Sequence, residues 1–156
     1  MRRSMILLAL ALAAAARADE RQTTPAQKPK PPSTEEVLVA QLSSAKWMPA
    51  PALPGMPKGV EVAPIGVDPG SGGPTGYTRL PAGFHLPLHW HSHAEYTVLL
   101  SGKASFVVDG KQHELSPGSY VVIPAKARHE LTCGTAAECV LLARRAGPTD
   151  YNFVNP

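Results

Sequence analysis

Residues 83–102 read GFHLPLHWHSHAEYTVLLSG and concentrate metal-binding side chains in a short stretch. His89, His91, His93 and Glu95 follow one another at intervals of two residues. Because successive side chains of an extended strand alternate between its faces, residues at this spacing would point to one side. Imidazole nitrogens and a carboxylate oxygen are suitable ligands for a divalent transition metal. The stretch therefore predicts a metal site built on a β-strand; the alternative is a histidine-rich strand that faces solvent.

The first 18 residues have the pattern of a secretory signal peptide. Arg2 and Arg3 precede an apolar run over residues 6–16, which is too short to span a bilayer. The Ala-Arg-Ala sequence at 16–18 fits the cleavage rule, so Asp19 is the expected first residue of the mature chain. We therefore expect export to the periplasm or the extracellular space, with no membrane segment after cleavage. The alternative is an N-terminal membrane anchor that is not removed.

The charge of the chain gives no support for a nucleic-acid partner. The sequence holds 15 Lys and Arg residues against 12 Asp and Glu residues. Three of the arginines and none of the acids lie in the predicted signal peptide, so the mature chain would be close to neutral. No clustered basic run remains that would suit a nucleic-acid surface.

The 156 residues predict one folded domain behind a linker. Residues 19–50 are assigned to a linker, rich in Pro, Thr, Gln and Lys up to residue 33, and then to a short helix or strand. A capping box at 33–36 favours a helix over residues 37–45, whereas the β-branched Val37 and Val39 favour a strand.

The four prolines in residues 47–57 exclude both a helix and a central strand there. We expect this stretch to wrap around the outside of the domain, with Trp47 and Leu53 held against it.

The sequence from Gly59 onward is typical of an all-β domain. Turn residues recur about every eight to twelve positions, which predicts an antiparallel sandwich or barrel, and Asp109-Gly110 is a strong hairpin signal. We assign 51–147 to this β-barrel and 148–156 to a tail that folds back on it. The expected strands cover residues 60–65, 77–80, 85–91, 96–100, 104–108, 112–115, 120–123, 128–133 and 139–144.

Cys133 and Cys139 are the two cysteines of the chain. If they face each other across a hairpin, their Cα atoms would lie about 4.5–5.5 Å apart, within the range of a disulfide. An exported protein matures where disulfides form, which favours the bond. The alternative is a pair of buried free thiols.

Two motifs resemble those of the cupin superfamily. The first matches at every spacing: Gly83, five residues, His89-Trp90-His91, three residues, Glu95, six residues and Gly102. The second motif has two departures, since Lys126 stands at a glycine position and Cys133 at an asparagine position. Its remaining members are Gly118, Pro124 and His129.

The resemblance implies a fold, a metal and a class of partner. The fold is all-β, a double-stranded β-barrel of the jelly-roll type. The expected ligands of one divalent transition metal (Fe, Mn, Zn, Ni or Cu) are His89, His91, Glu95 and His129. It also implies a small-molecule ligand or substrate and a homodimer formed through sheet edges.

Several other residues could contribute to a functional site, but the sequence supports such a role less strongly. We expect His93 at the mouth of the cavity or in solvent, His113 exposed, and Trp90 facing outward as a packing residue. For His85, the sequence is compatible with a position in the cavity and with a position on the surface. A structural role is favoured for Tyr77, Arg79 and Glu130.

Three functional hypotheses follow. The first is a small exported metalloenzyme with dioxygenase-like chemistry on a small organic molecule. The second is a non-enzymatic module that binds or senses a metal or a small ligand. The third is a metal-dependent isomerase or lyase without redox chemistry. The fold does not choose among them, because one fold hosts many chemistries.

Overall fold

Two antiparallel β-sheets form the fold in the computed structural model, which describes residues 37–154. One sheet has six strands in the order β1-β2-β3-β10-β5-β8, and the other has five in the order β11-β4-β9-β6-β7. This is the all-β arrangement predicted from the sequence. The strands are β1 (Met48–Pro49), β2 (Glu61–Val67), β3 (Pro74–Leu80), β4 (His85–Trp90), β5 (Glu95–Ser101), β6 (Ala104–Val108), β7 (Lys111–Leu115), β8 (Tyr120–Ile123), β9 (His129–Cys133), β10 (Cys139–Arg145) and β11 (Asn152–Phe153).

The core lies between the two sheets. Leu99 on β5 and Leu141 on β10 come from the six-stranded sheet, and Phe106 on β6 and Leu131 on β9 come from the five-stranded one. All four are buried. They are apolar residues at alternate positions of their strands, so one face of each sheet is removed from water.

The tail folds back on the barrel, as the sequence analysis expects. β11 extends the five-stranded sheet by pairing with β4, with Asn152 opposite Trp90 and Phe153 opposite His89. The tail thereby reaches the strand that carries the first of the predicted metal ligands.

The prediction of a helix over residues 37–45 is wrong. Among the described residues of that stretch, only Leu42–Ser44 form a single 3-10 turn, and Val37 is almost fully exposed. A short helix is stabilised mainly by burial of its apolar face, and the apolar side chains of Val37, Leu38 and Val39 are exposed instead. The capping box at 33–36 lies outside the described residues, as do the predicted signal peptide and most of the linker. Within residues 37–154, no helix has the length and apolar character that a membrane crossing requires.

The proline-rich stretch follows the outside of the domain, but only one of its two expected anchors is held. Trp47 is half-buried, lies 6.5 Å from Tyr77 between ring centroids, and has the Arg79 guanidinium 4.3 Å from its centroid. Leu53 is 40% exposed, so the expectation that it is held against the domain is wrong.

Cys133 and Cys139 form a disulfide, with their Cα atoms 5.8 Å apart. The expectation that the two cysteines face each other across one hairpin is wrong. Cys133 ends β9 in the five-stranded sheet, and Cys139 begins β10 in the six-stranded sheet. The bond therefore joins the two sheets across the core instead of closing a two-stranded ladder.

Candidate metal centre

Three buried histidines converge between the sheets. His89 on β4 and His129 on β9 are opposite each other in the ladder, and their ring centroids lie 4.2 Å apart. His91 follows β4 directly, and its ring centroid is 4.8 Å from that of His89. One nitrogen of each ring lies within 4.8 Å of those of the other two. The fold thus brings together residues that are 40 positions apart in the chain.

Backbone carbonyls fix which nitrogen of each ring is free. Nδ1 of His89 is 2.7 Å from the carbonyl oxygen of Pro87, and Nδ1 of His129 is 3.0 Å from that of Ala127. Nδ1 of His91 is 2.5 Å from the carbonyl oxygen of Asp150. Because a carbonyl only accepts, each Nδ1 is the protonated nitrogen. Each Nε2 therefore keeps its lone pair, as a metal-bound imidazole requires.

Burial keeps two of the rings neutral. Burial, and then the positive charge that His129 would carry, lower the pKa of His89 to about 3. Burial also lowers the pKa of His129. Neutral imidazole is the form that binds a metal, so these two rings are in their ligand form at neutral pH.

The contact between His91 and Glu95 fits a bound cation. Nε2 of His91 lies 3.1 Å from Oε2 of Glu95, yet this buried nitrogen has no hydrogen-bond partner among the described residues. Since Nδ1 carries the proton, two lone-pair atoms face each other in a buried place. A cation held by both atoms would satisfy both.

Glu95 has a second charged neighbour that sequence reasoning missed. Arg145 is its cross-strand partner on β10, and Nη1 of Arg145 lies 3.0 Å from Oε2 of Glu95. Burial alone would raise the pKa of Glu95, but the charge of Arg145 and the neighbouring His91 lower it to about 2. Glu95 is therefore ionised and shared between the histidine cluster and this guanidinium.

The stretch that carries the first motif is not one continuous strand. β4 ends at Trp90, the chain turns over residues 91–94, and Glu95 begins β5 in the other sheet. The even spacing of the four side chains therefore does not place them on one strand face. His93 lies in the turn, half-buried, with its ring against Gly147, and is outside the three-histidine cluster.

The tail completes the surroundings of the cluster. The Asp150 carboxylate accepts hydrogen bonds from the backbone N–H and the hydroxyl of Ser92, at 2.9 and 2.6 Å. Asp150 thereby holds its own carbonyl against His91. The ring of Tyr151 lies 4.8 Å from that of His91 and 5.4 Å from that of His89, and its hydroxyl accepts a hydrogen bond from Nη2 of Arg145 at 3.0 Å.

A cavity of about 60 Å³ adjoins the cluster. Its polar lining comes from Thr78, His89, Glu95, Thr97, His129, Arg145 and Tyr151. The rest of its wall is largely apolar and includes Leu80, Leu86, Phe106, Ile123, Leu131 and Leu141. Since a water needs about 10–15 Å³ of such space, the cavity holds a few waters or one small organic molecule.

The remaining candidate residues lie away from this cavity. His85 is on the surface beside Glu130, 3.6 Å between Nε2 and Oε2, and His113 is exposed on β7. Arg79 forms an ion pair with Glu61 at 2.6 Å. The hydroxyl of Tyr77 donates to the carbonyl of Ala40 at 3.4 Å. These contacts agree with the structural role that the sequence analysis favours for Tyr77, Arg79 and Glu130.

A family model described as Cupin domain matches residues 76–143, the segment that contains His89, His91, Glu95 and His129. Residues 76–143 therefore form a cupin domain. Solved cupin structures share the fold. The cupin-2 domain protein Rru_A2000 from Rhodospirillum rubrum is 17% identical with a TM-score of 0.61, and the match covers 75% of this chain and 80% of that one.

Two further neighbours of the cupin domain are enzymes by name. The polyketide cyclase RemF from Streptomyces resistomycificus is 17% identical with a TM-score of 0.61, over 78% of this chain and 87% of that one. A structure of the DMSP lyases RdDddP and RnDddQII is 18% identical with a TM-score of 0.59, over 71% of this chain and 63% of that one. At these identities the likeness concerns the fold alone. No curated protein sequence matches the chain.

The two departures from the second cupin motif are accommodated. Lys126 takes the left-handed conformation, with φ of +66°, that the motif glycine would supply, and its N–H donates to the carbonyl of His91 at 2.8 Å. Cys133 forms the disulfide. The turn before His129 is therefore intact, and it is tied to the segment that carries His91.

Sequence reasoning missed three parts of this cupin site: Arg145, Tyr151 and the carbonyl of Asp150. No local motif marks them, since Arg145 is one of two adjacent arginines at the end of a strand. Only the cross-strand register, which sets Arg145 opposite Glu95, would have found it.

Proposed function

We propose that this cupin domain binds one divalent transition metal through His89, His91 and His129, with Glu95 as a fourth ligand. The observation that carries the proposal is the common arrangement of the three buried rings. Each Nδ1 is engaged by a backbone carbonyl, so each Nε2 keeps a lone pair for a metal. The unsatisfied Nε2 of His91 beside the Glu95 carboxylate supports the fourth ligand.

The donor set narrows the choice of metal. Imidazole suits Zn, Cu, Fe and Ni, and one carboxylate extends the range to Mn. Ca²⁺ and Mg²⁺ prefer oxygen ligands and are disfavoured by three nitrogens. Three or four protein ligands leave coordination positions open on an ion that prefers five or six.

We further propose that the site acts on a small organic molecule, with dioxygenase-like chemistry as the first candidate. A metal bound here would supply Lewis-acid or redox chemistry at its open positions. The protein residues would do the rest: the apolar wall excludes water and encloses the substrate, while Arg145 and Tyr151 orient its polar atoms.

A metal-dependent isomerase or lyase is the second candidate. The hydroxyl of Tyr151 places a protic group beside the cluster, which suits chemistry that moves a proton without an oxidant. The names of two structural neighbours, a cyclase and lyases, are in keeping with non-redox chemistry on this fold.

Metal analysis followed by turnover assays tests these proposals. The purified protein is expected to contain about one transition-metal ion per chain, as measured by inductively coupled plasma mass spectrometry. The iron- or manganese-loaded protein is then given a panel of small molecules with and without oxygen. Oxygen uptake supports the dioxygenase, and conversion under nitrogen supports the isomerase or lyase. Protein that takes up no metal would contradict the whole proposal.

We infer that the protein is exported. The pattern of residues 1–18 and the disulfide between Cys133 and Cys139 both support an oxidising compartment. The test is N-terminal sequencing of protein recovered from outside the cytoplasm, with Asp19 as the expected first residue. Full-length protein confined to the cytoplasm would contradict export.

A further inference from the structure

One nitrogen of a buried guanidinium in the cavity wall lacks a hydrogen-bond acceptor. Arg145 is 6% exposed and lines the cavity. Its Nη2 donates to Tyr151, but its buried Nη1 has no hydrogen-bond partner among the described residues. Nη1 and Oε2 of Glu95 form an ion pair at 3.0 Å, but the N–H bonds of Nη1 do not have the direction that a hydrogen bond to this oxygen requires. A buried guanidinium with unsatisfied N–H groups is costly unless a ligand accepts from it.

Tyr151 adds a second donor beside the first. Its oxygen accepts from Nη2 of Arg145, and within residues 37–154 its hydroxyl hydrogen has no acceptor. Both residues line the same cavity as His89 and His129. A ligand oxygen in this cavity would therefore have one cationic and one neutral donor available, on two side chains that contact each other.

The charge balance also favours an anion. Glu95 and Arg145 are the charged residues in the wall of the cavity, and their charges cancel. With three neutral imidazoles, a divalent metal would leave two positive charges uncompensated in a buried, largely apolar place. A buried charge requires a counter-charge, and a negatively charged ligand supplies it.

We propose that Arg145 and Tyr151 form an anion-binding pair, which selects small carboxylates as the ligands of the metal-loaded cavity. This inference rests on the proposed metal site and adds the substrate class to it. The cavity volume of about 60 Å³ limits the ligand to a few non-hydrogen atoms beyond the metal. A carboxylate suits this pair, because one of its oxygens can accept a charge-assisted hydrogen bond from Nη1 of Arg145 and the other can accept from the hydroxyl of Tyr151.

The test compares two probes of equal size that differ in charge, acetate and acetamide. Each is titrated into Co²⁺-loaded full-length protein, with the visible absorption of Co²⁺ as the readout. Acetate is expected to bind about tenfold more tightly than acetamide or better. Arg145→Gln should remove most of this preference and Tyr151→Phe part of it. The matched control is Arg144→Gln, which changes a neighbouring arginine that is 48% exposed and does not line the cavity, and it should leave the preference unchanged.

Metal content, measured for each variant, separates two kinds of failure. Protein without bound metal would contradict the proposed metal site. Metal-loaded protein that binds acetate and acetamide equally would overturn the anion-binding pair alone. So would an acetate preference that survives in Arg145→Gln at full metal content. If Arg145→Gln does not fold, an undiminished preference in Tyr151→Phe overturns the pair and a reduced one supports it.

Discussion

His89 and His129 are cross-strand partners on β4 and β9, and their rings lie 4.2 Å apart between centroids. The register of this one ladder therefore sets the distance between two of the three proposed nitrogen ligands. A register shift occurs two residues earlier, between Leu86 and His89, where Pro87 interrupts the strand. The carbonyl of Pro87 then accepts from Nδ1 of His89, so the irregularity also orients that ring.

His129→Ala should abolish most metal binding. The variant removes one of three convergent nitrogens, and the affinity is expected to fall by more than about a hundredfold, since even supporting residues are worth ten- to a hundredfold. His113→Ala is the matched control, because His113 is an exposed histidine outside the cluster. Calorimetric titration with Zn²⁺ measures both. Equal losses in the two variants would show that the ligand assignment is wrong.

Gly102→Ala should destabilise the fold far more than Gly110→Ala. Both glycines have a left-handed φ, +84° and +77°, so both variants share the conformational strain. A Cβ at Gly102 would lie 2.5 Å from the carbonyl oxygen of Glu138, whereas one at Gly110 meets nothing within 4 Å. We expect Gly102→Ala to lower the free energy of unfolding by about 2 kcal/mol more, measured by urea denaturation. Similar losses of unfolding free energy in the two variants would mean that the close approach of the Glu138 carbonyl does not explain the glycine at position 102.

Reduction of the disulfide between Cys133 and Cys139 should lower stability without emptying the metal site. The loop is short, with a sequence separation of 6, so the expected loss is about 2 kcal/mol. Urea denaturation with and without a phosphine reductant measures it, and metal content is followed in parallel. Loss of metal on reduction, at a urea concentration where the protein stays folded, would contradict the independence of the two features.

Asp150→Asn should destabilise the protein at neutral pH but not in strong acid. Although burial opposes ionisation, the hydrogen bonds from Ser92 and Asn152 lower the pKa of Asp150 to about 2. A depressed pKa stabilises the folded state fully above the unfolded pKa near 4, and this contribution disappears as the pH falls from 4 through 2. Asp150 is only partly buried, so we expect about 0.5 to 1 kcal/mol.

The measurement for Asp150 is the difference in unfolding free energy between wild type and variant at pH 7, 4 and 3. This difference in unfolding free energy should be constant near neutral pH and should become smaller toward pH 3. Asp109→Asn, in an exposed hairpin turn, is the control and should show no such trend. A gap that widens in acid would contradict the role of the Asp150 carboxylate.

Much of the fold could be predicted because turns and strands leave local signals. Asp109-Gly110 closes the hairpin of β6 and β7 as expected, and the predicted and observed strands agree closely from β4 to β10. The helix over residues 37–45 was wrong because capping residues report only local preference. Whether a short helix persists depends on the packing of its apolar face against the rest of the domain, and Val37, Leu38 and Val39 are exposed instead.

The candidate site could be predicted only as far as its motifs extend. The first motif, which matches at every position, identifies His89 and His91, and the second motif identifies His129 despite its two departures. Arg145 and the carbonyl of Asp150 depend on sheet register and on the return of the tail, which leave no pattern in the sequence. The disulfide between Cys133 and Cys139 is confirmed, but the expected hairpin is wrong, because short spacing suggests a hairpin and does not indicate a crossing between sheets.

Strand β9 is five residues long, with His129 at one end and Cys133 at the other. The disulfide is a covalent cross-link at the Cys133 end, and metal binding would add a reversible cross-link at the His129 end. Amide hydrogen exchange should therefore slow around His129 when metal binds and change little around Cys133. Metal occupancy would in this way set how freely the end of β9 at His129 fluctuates.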